Sequence, residues 1–188
     1  MAGSADHFEA LGLERLVDLS TVTLREHYDE RCREAHPDAG GEAGAFDAVA
    51  EAYACLGSPS RRLFHWLELA GVTVVEDGSL PAPVVDRFEM VGALLREADE
   101  LAGRHREAQS TLVRSLVEAE GIALQARLSE SRGELEDAIA EMVSRFAWFD
   151  EKGAIETGKE ALEMARTLAF MEKWEVQLRA AWAQAGCW

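Results

Sequence analysis

No proline follows Pro83, so the whole stretch from Val84 to Trp188 lacks the one residue that both removes a helix hydrogen bond and clashes with the preceding turn. The same stretch is rich in Ala, Leu, Glu and Arg, which favour helix most strongly. Long helices are the expectation there. The earlier part is helical in pattern as well, but punctuated. Leu24, Tyr28 and Cys32 stand four apart within Ser20 to Ala35, on one helical face. Phe46, Val49, Tyr53 and Leu56 repeat the rhythm at 3-4-3 spacing. Between them lies His36-Pro37-Asp38, then Gly40 and Gly41. Pro37 pushes His36 out of helical dihedrals and ends the first helix, and the glycines let the chain turn. The pattern predicts an antiparallel helical hairpin with the tripeptide at its tip, which is a recognition geometry rather than a core one.

Charge and cysteine usage narrow the function classes. The 188 residues carry a formal charge of −16. Residues 1–72 hold 13 acidic against 6 basic groups and residues 73–188 hold 22 against 13. Neither part offers a basic face, so nucleic acid and anionic membrane are not expected partners. No apolar run approaches the roughly 20 residues that span a bilayer. Met1-Ala2-Gly3-Ser4 lacks the regions of a signal peptide. Cys32, Cys55 and Cys187 are widely spaced without a C-x-x-C pair, against a disulfide framework or structural zinc. The expectation is a cytoplasmic protein without metal or cofactor.

Breaker residues divide the chain. Ala70-Gly71 closes a fourth helix; Asp77-Gly78-Ser79, Pro81 and Pro83 then interrupt the chain before the proline-free region. The expected units are residues 1–72, a linker at 73–83 and a helical bundle at 84–188. In the bundle, Phe88, Val91, Leu95, Ala98 and Ala102 predict the inward face of a first helix, with a turn near Gly103. A second helical region spans roughly 107–149, where Ser131-x-x-Glu134 reads as a capping box restarting it. Leu135, Ile139, Met142, Phe146 and Phe149 form a 4-3-4-3 stripe. Asp150-Glu151-Lys152-Gly153 reads as a turn before a last helix. Three long helices with short connections pack as a bundle.

Some apolar residues exceed what one stripe per helix needs. Met90, Leu94 and Leu101 lie off the first core line. Phe170 and Trp174 form one line on the last helix, and Met164, Leu168, Met171, Leu178 and Trp182 another. Two lines mean either a wide core face or an exposed strip for a partner.

The N-terminal part resembles a J-domain. Asp6-His7-Phe8-Glu9-Ala10-Leu11-Gly12-Leu13 looks like the opening helix of that family. Leu24-Arg25-Glu26-His27-Tyr28 with His36-Pro37-Asp38 is similar to its second helix and signature loop, and Phe46 to Arg62 is similar to its third and fourth helices. The resemblance covers about 70 residues and implies stimulation of ATP hydrolysis by a DnaK-class chaperone. It makes His36, Pro37 and Asp38 candidate chaperone contacts. Asp29 and Glu30 stand where many J-domains are basic, with Arg25, Arg31 and Arg33 nearby as further candidates. This departure favours a dedicated chaperone partner.

A J-domain, a linker and a small bundle make the layout of the HscB co-chaperones. Met90-Val91-Gly92-Ala93-Leu94-Leu95-Arg96-Glu97 is similar to that family's first bundle helix, and Arg166-Thr167-Leu168-Ala169-Phe170-Met171-Glu172-Lys173 to its last. The resemblance implies delivery of an iron–sulfur scaffold protein of the IscU type. It points to Met90, Ala93, Leu94, Glu97 and Phe170 as client contacts, and the expectation is one exposed face carrying Met90 and Phe170, with Leu94 or Leu101 extending the patch and Glu97 at its rim. Ala93 is smaller than the family residue and Leu94 replaces an acid. Residues 102–130 lengthen the family pattern and resemble nothing else.

Catalysis is a poor reading. His36 and Asp38 on a loop lack a nucleophile or pocket. His7, His27, His65 and His105 show no ligand spacing. The alternatives are a bundle that recruits a different client or mediates dimerisation, and a structural coiled-coil protein in which His36-Pro37-Asp38 is idle.

Overall fold

The computed structural model describes residues 5–35, 44–72 and 80–186, and within them the chain forms eight helices and no strand. In order these are α1 (His7–Leu11), α2 (Thr21–Ala35), α3 (Ala45–Gly57), α4 (Pro59–Leu69), α5 (Ala82–Glu107), α6 (Thr111–Val143), α7 (Phe146–Lys152) and α8 (Ala154–Ala185). The fold is all-α. His36, Pro37 and Asp38 lie outside the described residues, as does Trp188.

Two compact units emerge, and their membership does not follow the chain. The first joins the described residues up to 72 with Met142–Leu168; the second joins residues 80–141 with 169–186. The sequence division into residues 1–72 and 84–188 does not foresee that 142–168 packs with the N-terminal helices. Periodicity reports which face of a helix is apolar, and says nothing of which neighbour covers it.

In the first unit, local signals set the helix ends. Asp6 caps α1, its carboxylate accepting the backbone N–H groups of Phe8 and Glu9 at 2.9 and 3.2 Å. Gly12, at φ 67°, ends α1 in the left-handed conformation that glycine adopts without strain, and its N–H donates to the Glu9 carbonyl. Ser20 caps α2 through the N–H of Thr23. Ser58 caps α4, with Pro59 in the first turn where its missing N–H costs nothing. α3 packs against α1, α2 and α4. Phe8, Leu11, Leu24, Val49, Ala52, Leu56, Leu63 and Leu67 bury around it. Phe46 heads the α3 stripe but is exposed at the first turn. Phe146 and Phe149 of α7 are fully buried in this unit, and the Trp66 ring lies 6.5 Å from that of Phe149.

In the second unit, α5, α6 and the later half of α8 form a three-helix packing. Val91, Leu94, Ala98 and Leu101 of α5, Val117, Leu124, Leu128 and Leu135 of α6, and Met171, Trp174 and Leu178 of α8 are its buried core. Removing such a leucine side chain costs about 2–5 kcal/mol. α6 runs unbroken, so Ser131 and Glu134 do not form a capping box. Burial of Val117, Leu124, Leu128 and Leu135 along one face offsets the weak helix propensity of Gly121 and Gly133. The first turn falls after Glu107 rather than at Gly103. The Leu135–Phe149 stripe is broken at Ser144–Arg145, and only Gly153, at φ 83°, separates α7 from α8.

Candidate functional site

The α2 surface carries the three arginines named from sequence, all engaged within the first unit. Arg25 pairs with Asp29 one turn on at 3.0 Å, and its guanidinium lies 5.6 Å from the Tyr28 ring centroid. Arg33 donates to the Asp29 backbone carbonyl at 3.1 Å. Arg25, Asp29 and Arg33 thus form one row along the helix. Arg31, about 240° around the helix from Arg25, pairs with Glu34 at 2.9 Å and packs beside Gly12. Arg31 and the other two therefore occupy different faces, and the acid of the row compensates part of its charge.

Arg62 serves the fold. Its guanidinium donates to the carbonyls of Val17 and Leu19 at 3.0 and 2.8 Å, and it lies over the Phe146 ring. Arg61 donates to the Ala54 carbonyl at 3.2 Å. Cys55 is buried, and burial pushes its thiol pKa up, away from the reactive thiolate.

In the second unit, the residues expected from sequence to contact a client separate. Met90 is 44 % exposed and Ala93 is exposed. Leu94 and Leu101, expected to extend an exposed patch, are buried at 5 and 4 %. The sequence-predicted inward residue Phe88 is instead 55 % exposed. Both corrections have one cause. α5 contacts α6 through Arg127–Glu97 and Arg104–Glu120, and α8 through Phe88–Trp174. Its inward arc is therefore centred between Val91 and Leu94, which rotates Phe88 and Leu95 outward and brings Leu94 and Leu101 in.

Phe88 and Phe170 meet through a third ring. Trp174, itself buried, lies 6.2 Å from each. Phe170 is half-buried. An aromatic ridge thus joins α5 and α8, with two partly exposed rings on a buried one. Met90, two residues beyond Phe88, projects about 200° away around α5 and lines a groove with α6. Met90 and Phe170 consequently belong to opposite sides of α5 rather than to one continuous strip. The sequence missed Phe88 because its spacing fits the core rhythm; no local signal separates the two assignments.

The α5–α6 groove holds about 290 Å³, with Met90, Ala93 and Leu94 as its apolar wall. Arg127, Glu130, Ser131 and Glu134 form the polar wall. Glu97, expected at the rim of a client patch, is held by Arg127, whose Nη1 donates to both carboxylate oxygens at 2.6 and 2.8 Å. Among the described residues no group of three or more His, Cys, Asp or Glu is placed to hold a metal ion. None of the described helices is long and apolar enough to cross a membrane.

No protein-family model matches the chain, and no curated protein matches it. Among solved structures, the crystal structure of human co-chaperone protein HscB is similar. The two are 19% identical, the match covers 96% of this chain and 83% of the human one, and the TM-score is 0.49. At that identity and score the likeness assigns neither a partner nor an activity.

Proposed function

We propose that this protein is a co-chaperone adaptor. Its N-terminal helices, carrying the J-domain-like signatures from Asp6 through Arg62, stimulate the ATPase of a DnaK- or HscA-class chaperone through His36, Pro37 and Asp38. Its second unit delivers an iron–sulfur scaffold protein to that chaperone. The adaptor itself performs no catalysis.

The observation that carries the client half of this reading is the aromatic ridge. Phe88 is more than half exposed beside a buried tryptophan, with Phe170 completing the row. Apolar anchors on a rigid helical frame are the usual centre of a recognition surface. Phe170 also falls within the stretch whose sequence resembles the HscB family. Titrating scaffold protein against the full chain and its Phe88→Ala variant tests it, and undiminished binding by the variant removes the ridge from the account.

A second reading has its own support. Leu112, Leu116 and Ile122 in the early part of α6 are large, apolar and exposed, as a face for self-association or a different client would be. Light scattering over a concentration series separates the two, since a dimer doubles the mass without added partner.

A further inference from the structure

The first half of α6 has two apolar faces, and only one is buried. Val117, Gly121, Leu124 and Leu128 form the buried face. On the opposite side of the helix, Leu112, Leu116, Ala119, Ile122, Ala123 and Ala126 are exposed, Leu112 and Ile122 at 72 and 70 %. With about 100° between successive residues, all six fall within about 60° of Ala119, in a strip about 21 Å long. No charged residue enters that strip between Leu112 and Ala126, and Ser115 is its one polar member. Charges on its flanks are engaged within the chain. Glu120 pairs with Arg104, Arg127 with Glu97 at 2.6 Å, and Glu118 stands 3.7 Å from His105. Contiguous exposed apolar surface of this kind marks an interaction face.

The order of side chains along the strip identifies its occupant. Laid antiparallel on a copy of itself, with Ala119 opposite Ala119, the strip sets Leu112 against Ala126, Leu116 against Ala123 and Ile122 against Ser115. Each bulky side chain meets a small one, so the two surfaces interdigitate. A two-fold interface demands such self-complementarity, residue i meeting j while j meets i. An unrelated partner helix places no such demand on the sequence. Charge selects the same direction. Residues 104–116 carry Arg104, Arg106 and Arg114 against Glu107 alone, whereas residues 127–137 carry Glu130, Glu134, Glu136 and Asp137 against Arg127 and Arg132. Antiparallel pairing brings the basic segment of one copy level with the acidic segment of the other, and parallel pairing would set like charge on like.

We propose that this protein forms an antiparallel two-fold dimer through the outer face of α6, with a second copy of the chain as the occupant of the strip. This rests on the self-association reading of Leu112, Leu116 and Ile122, and is independent of the client reading. One helix pair about 21 Å long makes a small interface, so the dimer dissociates in the micromolar range. The strip shares no residue with the aromatic ridge of Phe88, Phe170 and Trp174.

Sedimentation velocity of the full chain over a concentration series reads the association. Leu116→Glu is expected to leave only monomer. Its melt should match wild type at a dilution where both are monomeric, because Leu116 is 56 % exposed. Ala123→Leu sets leucine against leucine and is expected to weaken the dimer about tenfold. Combining it with Leu116→Ala exchanges the large and small members of the pair and is expected to restore the wild-type constant to within about threefold. Oxidative crosslinking reads the direction. Ala119→Cys is expected to give disulfide dimer well above the wild-type level, since its two copies face each other across the two-fold axis. Leu112→Cys is expected to stay at the wild-type level, its copies standing about 21 Å apart. A wild-type chain that remains monomeric throughout overturns both the proposal and the self-association reading. A dimer that survives Leu116→Glu keeps self-association and overturns this face. An Ala123→Leu defect that Leu116→Ala fails to repair, or equal crosslinking at both cysteine positions, overturns the antiparallel pairing.

Discussion

The carboxylate of Asp150 accepts the backbone N–H of Val17 at 2.8 Å, joining residues 133 positions apart in the chain. Its other oxygen takes the N–H of Asp18 at 2.8 Å. Arg62 meanwhile donates to the carbonyls of Val17 and Leu19. Two N–H groups and two carbonyls of the loop between α1 and α2 are thus held by two side chains from different elements, one of them in α7. Asp150→Ala strands two N–H groups and is expected to cost about 2 kcal/mol in urea unfolding. Asp150→Asn keeps one acceptor and is expected to cost about half that. A loss near zero for Ala would show that water replaces the carboxylate freely.

His65 makes the first unit sensitive to acid. Its Nε2 accepts the His7 backbone N–H at 3.0 Å, which requires an unprotonated nitrogen. Burial holds its pKa below the ordinary histidine value, and neighbouring His7 adds to this, while Asp6 and Glu68 oppose it. The folded state therefore binds fewer protons than the unfolded state between the lowered pKa and about 6.5. The stabilising contribution is complete above that upper value and is lost as pH falls through the window. The melting temperature is expected to drop as pH falls below about 6.5. His65→Gln, which keeps an acceptor near the same place and cannot titrate, is expected to flatten that slope; a wild-type profile already flat there contradicts the assignment.

The aromatic ridge separates binding from stability. Phe88→Ala is expected to cost scaffold affinity about 1 kcal/mol or more with little change in the melt, because its ring is mostly in water. Phe170→Ala is expected to weaken binding by a similar amount. Its stability loss should fall short of the 3–5 kcal/mol of a core phenylalanine, since Phe170 is only half-buried. Calorimetric titration and thermal melts of the same samples distinguish the two effects, and a full core-sized loss at Phe170 would assign it to the fold instead.

What the sequence discloses about this chain depends on the range of the interaction involved. Caps and stops such as Asp6, Gly12, Ser58 and Pro59 act within a few residues, so the helices of the N-terminal part are legible from local pattern. The rotation of α5 is not: Phe88 and Leu94 both fit apolar rhythms that share Val91 and Ala98, and only the flanking helices decide which is buried. The stripe from Leu135 to Phe149 keeps its period through Ser144–Arg145, although Leu135 belongs to one unit and Phe149 to the other. Ser131 looks like a helix start in sequence because Glu134 stands at the capping-box distance. Burial of leucines on both sides overrides that signal and buries the serine within an unbroken helix. His36, Pro37 and Asp38 are named as chaperone contacts by the J-domain resemblance of the sequence, and they lie outside the described residues.

The adaptor account meets its most direct test in single-turnover ATP hydrolysis by a DnaK- or HscA-class chaperone, measured with this protein in the presence and absence of scaffold protein. The protein alone is expected to accelerate hydrolysis, and scaffold to accelerate it further. Asp38→Asn is expected to abolish both effects with an unchanged circular dichroism melt, and Phe88→Ala to weaken only the scaffold-dependent part. Wild-type protein that leaves the hydrolysis rate at its basal value, or Asp38→Asn that stimulates as well as wild type, would contradict the account.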